Sequence, residues 1–400
     1  MTHSDHKRYY TRFLNGHEGK LHFAAHSHHF WPDVTREAQL RYWDDTALAS
    51  DEKWNKIFGE VIPKAQKHIA DILKLKDPNQ IVFAPNTHEL STRLLSLFIG
   101  RPGLSILTTS NEFHSWRRQI LRLSEIPEIN VSIVSSENFM RDRRGVINDL
   151  KKELAKKPDV FFLSQVFFDS GVAFTDDELQ EISEAVEAQT IMVVDGYHGF
   201  AAIPTNLSKL EGKIFYLGGG YKYGQGGEGV GFMVVPKGHW RPAYTGWFAE
   251  YAHLTKPAGA QVGYSDDGMA FMGATQDPSG LYRFNAAWDL FESEGLSVEA
   301  IHTYVRELQQ EFLKGIPKSF IAGHNLTPLF DLNLGWHGHF LTFEAATLEE
   351  AEGIQEALKK VSVLIDRRGK RLRFGFGLYQ NKADVHQVLE RLGNLAVKSQ

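Results

Sequence analysis

The stretch LGGGYKYGQGGEGVG, residues Leu217–Gly231, places one lysine, Lys222, among eight glycines. Apolar runs flank this segment: Lys213–Leu217 precedes it, and Val230–Val235 follows it. Each run has the length and composition of a short buried strand. Because glycine allows the backbone to approach a ligand closely, we expect Lys222 on a glycine-permissive loop between two strands. It is there either as a solvated loop residue or as an amine placed for chemistry.

Asp195 favours the interpretation of Lys222 as an amine placed for chemistry. It follows the apolar run Thr190–Val194 and precedes Lys222 by 27 residues. Pyridoxal phosphate requires such a pair of groups, because a lysine amine forms a Schiff base with its aldehyde and an aspartate keeps its pyridine nitrogen protonated. We therefore expect pyridoxal 5'-phosphate as the cofactor, with Lys222 and Asp195 as the catalytic residues.

Composition excludes several other classes of protein. The net charge is −5 and there is no long basic run, so we expect no nucleic-acid partner. No stretch of about 18 apolar residues occurs and the N-terminus lacks a hydrophobic signal core, which predicts no membrane partner and a cytoplasmic location. The absence of cysteine removes disulfides, cysteine-ligated zinc and thiolate nucleophiles.

Two motifs in succession resemble a known family. VVDGYHGF (Val193–Phe200), followed by GGGYKYGQGGEG (Gly218–Gly229), resembles the kynureninase branch of the class V aminotransferase superfamily, from about Leu21 to Val385. The resemblance implies the α/β fold type I architecture of pyridoxal-phosphate enzymes. A large domain then holds a mainly parallel seven-stranded sheet between helices, and a smaller C-terminal α+β domain follows. Strand–helix alternation along the chain agrees with this.

The resemblance also implies a division of the chain. Residues 1–50 form an N-terminal segment that reaches the active site, residues 51–260 form the cofactor-binding domain, and residues 261–400 form the small domain with an interdomain helix. The same resemblance assigns cofactor contacts to residues spread over the chain: Thr87 and His88 (phosphate), Phe113 with His114 as the alternate (ring stacking), Ser170 and His198 (beside the ring), Tyr221 (phosphate), and Trp247 and Thr275 (across a homodimer interface).

Physical arguments speak against a dinucleotide site or a phosphate loop in the glycine-rich segment. Gly224, Gly226 and Gly229 match G-x-G-x-x-G, but a strand rather than a helix follows, which is the wrong context for a dinucleotide site. A phosphate loop of the Walker type would need serine or threonine at Tyr223. Thr87, or Asn86, is also a good helix N-cap, a role that needs no ligand.

Histidines at positions 26, 28 and 29 invite a metal-site interpretation, but no accompanying ligand motif supports one, and we expect no metal. In kynureninases a short glycine-asparagine-serine loop reaches the active site here. The resemblance makes Ser27 and His28 candidate substrate contacts, while the bulkier side chains of this loop depart from the family pattern and leave the substrate open.

Near the C-terminus, RLRFGF (Arg371–Phe376) alternates as a strand does, with Arg371 and Arg373 on one face. Basic residues on a strand usually form a solvated face. Arg373, however, matches the arginine with which relatives bind the substrate α-carboxylate through two parallel hydrogen bonds. An α-amino acid is therefore the expected small-molecule substrate.

The resemblance favours a kynureninase-like hydrolase that cleaves the Cβ–Cγ bond of kynurenine or a related β-acyl amino acid. A class V transaminase is the alternative, and a non-catalytic pyridoxal-phosphate-binding protein is a third possibility. A cysteine desulfurase that carries sulfur on its own cysteine is excluded, since the chain has no cysteine.

Overall fold

The computed structural model describes residues 5–253, 262–316, 326–330 and 335–397. Its α-helices are α1 (Thr11–Gly16), α2 (Val34–Ala49), α3 (Lys53–Lys56), α4 (Ile62–Leu73), α5 (Thr87–Leu95), α6 (His114–Leu123), α7 (Arg143–Leu154), α8 (Asp176–Glu184), α9 (Ser279–Ser293), α10 (Val298–Gly315), α11 (Leu348–Lys360) and α12 (Lys382–Val397). Its strands are β1 (Leu21–Phe23), β2 (Ile81–Ala84), β3 (Leu104–Thr109), β4 (Ile129–Val134), β5 (Val160–Ser164), β6 (Ile191–Asp195), β7 (Ile214–Gly219), β8 (Gly231–Val234), β9 (Thr327–Pro328), β10 (Phe340–Glu344), β11 (Val363–Arg368) and β12 (Arg371–Gly375).

The larger sheet has seven strands in the order β2-β8-β7-β6-β5-β3-β4. Strand β8 runs antiparallel to both of its neighbours, and the other pairings are parallel. Every residue of β5 and β8 is buried, as expected of strands covered by helices on both faces. This confirms the predicted α/β fold with a mainly parallel seven-stranded sheet.

Register at the C-terminal edge of this sheet brings Asp195 towards the lysine loop. Asp195 is the last residue of β6 and lies opposite Leu217 of β7 and Ser164 of β5. Strand β7 then leads into the loop that carries Lys222, and β8 follows it, as the sequence predicts. Ligand sites of open parallel sheets lie at this edge.

The smaller sheet has five strands in the order β1-β11-β12-β10-β9. Strand β1 near the N-terminus pairs in parallel with β11, with Leu21 opposite Val363, although the two are far apart in sequence. A separate apolar core that includes Phe23, Leu372 and Phe374 stabilises this sheet. An isolated bridge from Ala24 to β12 then holds the loop after β1 against the strand that carries Arg373.

Among the residues that the structure describes, no helix has both the length and the apolar composition needed to cross a membrane.

Candidate active site

Lys222 lies at the centre of the site and is 8% exposed. Its Nζ is 2.7 Å from Nε2 of His198. Two aromatic rings lie near the amine, with the ring centroid of Phe113 at 5.2 Å and that of Tyr197 at 5.0 Å. Three residues from two separate segments, Phe113 and the consecutive pair Tyr197 and His198, therefore surround one buried amine, which is inconsistent with a solvated loop lysine.

Burial sets the charge of this amine. Desolvation lowers the pKa of Lys222 from 10.5 to about 7; the carboxylate of Asp195 opposes the shift, and the cations Arg373 and Arg368 add to it. A lysine must be neutral to attack a carbonyl, so these surroundings prepare Lys222 as a nucleophile near neutral pH.

His198 is fully enclosed, and burial together with the charge of Lys222 holds the pKa of its imidazole well below the ordinary value. The ring is therefore neutral. Nε2 lies within hydrogen-bond distance of the amine, and the tautomer of the imidazole decides which of the two groups donates. In either tautomer the neutral His198 fixes the position of Lys222 without adding a positive charge beside it.

Asp195 has one oxygen committed to the protein. Its Oδ1 accepts a hydrogen bond from the backbone N–H of Tyr197 at 2.9 Å, and no protein group in the described part of the chain donates to Oδ2. Burial raises the pKa of Asp195, while the Tyr197 N–H and the charge of Lys222 oppose the rise. A cationic donor at Oδ2 would satisfy this carboxylate in its ionised form.

The start of α5 lies directly against the end of the lysine loop. Asn86 caps the helix by accepting a hydrogen bond from the N–H of Glu89, and Thr87 is the first helical residue. A Cβ built at Gly231 would lie 2.6 Å from the carbonyl carbon of Asn86 and 2.9 Å from the nitrogen of Thr87. Only glycine permits this approach, which brings the free N–H groups of a helix N-terminus beside the lysine loop.

The N-terminal loop after β1 reaches the same region. Nδ1 of His28 lies 3.3 Å from the hydroxyl of Tyr221, the residue before Lys222. Ser27 is half-buried in the same loop, and its N–H bonds to the carbonyl of Ala24. The structure thus joins two of the predicted site residues, His28 and Tyr221, across 193 positions of sequence.

Arg373 is 3% exposed, so the alternative of a solvated basic face does not apply to it. Its guanidinium donates to the carboxylate of Asp366 and to the carbonyl of Phe168. Burial lowers the pKa of Arg373 to about 10, which leaves it protonated at neutral pH. Phe340 connects this cation to the amine: its ring centroid lies 5.6 Å from the guanidinium carbon of Arg373 and 5.7 Å from the ring centroid of His198, the partner of Lys222.

Comparison with known proteins assigns this site to a family. The family model for class V aminotransferases matches residues 23–388. The chain belongs to the class V aminotransferase family. It is therefore a pyridoxal-phosphate-dependent enzyme, as the lysine–aspartate pair predicts. No curated protein has a sequence that matches the chain.

Solved structures with this fold include members that act on sulfur compounds. The cystine C-S lyase C-DES, in complex with its reaction product cysteine persulfide, is 19% identical, with a TM-score of 0.81 over 96% of this chain and 99% of that one. A cysteine desulfurase from Thermococcus onnurineus NA1 is 18% identical, with a TM-score of 0.78 and 96% of both chains covered. Another C-DES structure has glycine covalently linked to the PLP cofactor, at 18% identity, a TM-score of 0.81 and coverage of 96% and 98%.

The donor set of the class V enzyme fits pyridoxal phosphate. Lys222 is a buried amine that becomes neutral near pH 7, and Asp195 keeps one carboxylate oxygen free for the ring nitrogen. Phe113 is 36% exposed, so part of its ring is open to stacking against a planar group. The start of α5 at Thr87 is a suitable place for the phosphate.

No contact with Lys222 or Asp195 is described for several of the predicted cofactor residues, among them Ser170, His88, Trp247 and Thr275. The hydroxyl of Ser170 accepts a hydrogen bond from the N–H of Val172 inside its own turn. His88 is exposed on the first turn of α5, and Trp247 and Thr275 lie on the surface. For Trp247 and Thr275 the contact across a homodimer interface stays a prediction.

The sequence predicts no role for three residues that the structure places at the site, namely His26, Phe168 and Asp366. Asp366 lies directly opposite Arg373 in the β11–β12 pairing, and Phe168 supplies a carbonyl to the same guanidinium. An acidic residue seven positions before Arg373 is a signal that could have suggested a hairpin ion pair. Within the described residues, no group of three or more histidine and acidic side chains is placed to hold a metal ion.

Proposed function

We propose that this enzyme binds the α-carboxylate of an amino acid at Arg373 and uses Lys222 to move the proton on Cα. The observation that carries the proposal is the buried, protonated guanidinium of Arg373 near the neutral amine of Lys222. A protein that only stored the cofactor would have no use for a buried carboxylate-binding cation. This argument favours catalysis over a cofactor-binding module.

Lys222, His198 and Asp195 have different roles in this proposal. Pyridoxal phosphate, when bound, supplies an electron sink for the charge that develops at Cα. Lys222 is the base, because its pKa of about 7 allows it to accept and return a proton near neutral pH. His198 orients its amine through the 2.7 Å hydrogen bond, and Asp195 keeps the pyridine nitrogen protonated.

For the reaction we propose kynureninase-like hydrolysis, in which water attacks the γ-carbonyl and the Cβ–Cγ bond breaks. Aromatic surroundings support a substrate with an aroyl side chain. Phe168 and Phe340 lie 5.9 Å and 5.6 Å from the guanidinium carbon of Arg373, and Phe113 packs edge-on against Phe168 at 5.7 Å. Rings at these positions favour flat apolar side chains over small polar ones.

Two other reactions share the step at Cα. Transamination is the alternative favoured by the family match; Lys222 would return the proton on the cofactor side, and a 2-oxoacid would accept the amino group as the substrate leaves as its own 2-oxoacid. Elimination of a sulfur group from Cβ is favoured by the likeness to C-DES, described as a cystine C-S lyase whose product is cysteine persulfide. A lyase that releases its sulfur product needs no thiol of its own, so the absence of cysteine is compatible with this reaction.

Product analysis distinguishes the three reactions. Incubation with kynurenine or 3-hydroxykynurenine is expected to consume one water and release alanine plus the matching anthranilate. Amino-group transfer to an added 2-oxoacid with no alanine released would contradict hydrolysis in favour of transamination. Pyruvate and ammonia formed from cystine, with no cleavage of kynurenine, would support elimination. Lys222→Ala, purified in parallel, is the control for contaminating activities.

We further propose a homodimer whose interface includes Trp247. This side chain is 46% exposed and packs on Phe248, with ring centroids 4.3 Å apart. The preceding Gly246 contacts Gly273, beside which the side chain of Arg93 in α5 lies. An exposed aromatic cluster connected to the phosphate-binding helix is a suitable surface for a second subunit.

Trp247→Ala is accordingly expected to weaken the dimer, because buried tryptophans at interfaces typically contribute about 2 kcal/mol or more, or about 30-fold in the dissociation constant. Light scattering across a dilution series measures this. Trp336→Ala, which removes another exposed tryptophan, one that packs on Arg143, is the matched control and should leave the dimer intact. A fully active wild-type monomer would rule out a site shared between subunits.

A further inference from the structure

His26 is a buried imidazole without a hydrogen-bond partner in the part of the chain that the structure describes. It is 0% exposed, and neither ring nitrogen has a hydrogen bond among the described residues. One face stacks on Phe340, with centroids 4.5 Å apart and planes 21° apart. A buried polar group left unpaired costs about 1–3 kcal/mol, so its retention beside an active site needs an explanation.

The backbone of β12 is shaped to admit this ring. A Cβ built at Gly375 would lie 2.2 Å from Nδ1 of His26, so no other residue type at position 375 leaves space for the imidazole. The bridge between Ala24 and Gly375 holds the two segments in register. The position of His26 therefore depends on the same strand that presents Arg373.

Asp366 connects His26 to Arg373. Its Oδ2 accepts from Nη2 of Arg373, and Nε2 of His26 lies 3.6 Å from that same oxygen, too far for a hydrogen bond. Oδ1 of Asp366 accepts from the N–H of Arg367 at 2.9 Å and lies 3.4 Å from Nη1 of Arg368. Asp366 thus already binds the guanidinium of Arg373, to which the substrate carboxylate is proposed to bind.

Polar atoms without hydrogen-bond partners around Arg373 indicate a binding site for a polar ligand. Nε of Arg373 has no partner in the described part of the chain. Thr342, opposite Arg373 on β10, likewise has a buried hydroxyl without a partner there. A carboxylate at the guanidinium could use Nε as one of two parallel donors.

We propose that His26 is a positioning residue. When the substrate carboxylate binds to Arg373, Asp366 leaves the guanidinium and accepts a hydrogen bond from His26 instead. The incoming carboxylate and Asp366 are both anionic, so their sharing one guanidinium is unfavourable unless Asp366 gains another donor. A movement of about 0.8 Å shortens the 3.6 Å separation to a hydrogen bond of about 2.8 Å from Nε2–H of His26. The inference rests on the proposed function, because it takes Arg373 as the carboxylate site.

Equilibrium binding tests the inference without catalysis. The probe is 3-phenylpropanoate, a carboxylate with an aromatic end and no amino group, titrated calorimetrically into the cofactor-loaded enzyme. His26→Leu is expected to raise its Kd by about 10- to 100-fold, the range for a hydrogen bond to a charged group. His26→Asn should recover part of the affinity, because its amide can donate to Asp366.

A double-mutant cycle separates this role from a merely structural one. In an Asp366→Asn background there is no second anion to relocate, so adding His26→Leu should change the Kd by less than about twofold. Equal effects of His26→Leu in both backgrounds, or none in either, would overturn the inference. If His26→Leu does not fold, His26→Ala, which also removes the donor to Asp366, provides the same comparison.

Two further variants distinguish the inference from the proposal beneath it. Arg373→Leu should abolish probe binding; if it does not, the carboxylate assignment in the proposed function fails, whatever His26 does. If Arg373→Leu abolishes binding and the His26 variants bind normally, only the role of His26 fails. His386→Asn changes an exposed histidine of α12 that pairs with Glu311 of α10, and is the control expected to bind normally.

Discussion

Lys222→Ala is expected to abolish the borohydride-reducible link between this protein and pyridoxal phosphate, and with it the activity. Lys222 is the buried amine in the loop after β7; it lies 2.7 Å from His198, and burial lowers its pKa to about 7. Mass spectrometry of proteolytic peptides after borohydride reduction locates the adduct. Lys213→Ala, a change at an exposed lysine just before β7, should leave the adduct in place. An adduct on any lysine other than Lys222 would contradict the assignment of the site.

The same lysine predicts a pH dependence. Only the neutral amine attacks the aldehyde, and the pKa of Lys222 is lowered from 10.5 to about 7. The rate at which apoenzyme captures added cofactor should therefore rise as pH increases through about 7 and level off about one to two units higher. Stopped-flow absorbance measures this rate. A rate that continues to increase towards pH 10 would indicate an ordinary, solvated lysine.

Asp195→Ala is expected to weaken cofactor binding and to reduce kcat/KM by about 100-fold or more. A charge-assisted hydrogen bond contributes about 1.5–3 kcal/mol, and the larger figure corresponds to about two orders of magnitude in rate. Because Oδ2 of Asp195 accepts from no protein group in the described residues, the carboxylate is available for the ring nitrogen. Spectrophotometric titration of apoenzyme with cofactor measures affinity, and initial rates measure activity.

Asp195→Asn tests whether the charge matters, since it keeps the size of the side chain and removes the anion. It should lose most of the activity that Asp195→Ala loses. Asp159→Asn is the control: Asp159 bonds to Ser105 at the opposite edge of the sheet, so its change should affect thermal stability but not the cofactor spectrum. Full activity in Asp195→Asn would show that the ring nitrogen has another partner.

Local sequence patterns were sufficient to predict the seven-stranded sheet and the two central residues of the site, Asp195 and Lys222. The runs Thr190–Val194 and Val230–Val235 are continuous and apolar because their strands are buried on both faces, a state that leaves a direct trace in sequence. Asp195 and Lys222 follow such runs at short range. Their placement at one edge needs only the rule that parallel strands end together.

The surroundings of Arg373 depended on tertiary structure. Alternation in β12 identifies the strand, but the pairing of Arg373 with Asp366 is a matter of register between β11 and β12. The burial of His26 requires β1 to join a sheet whose other strands lie more than 300 residues later in the chain. Such non-local pairings depend on which surfaces pack together and not on the propensities of either segment. The partners of Arg373, Asp366 and His26 therefore became visible only in the folded enzyme.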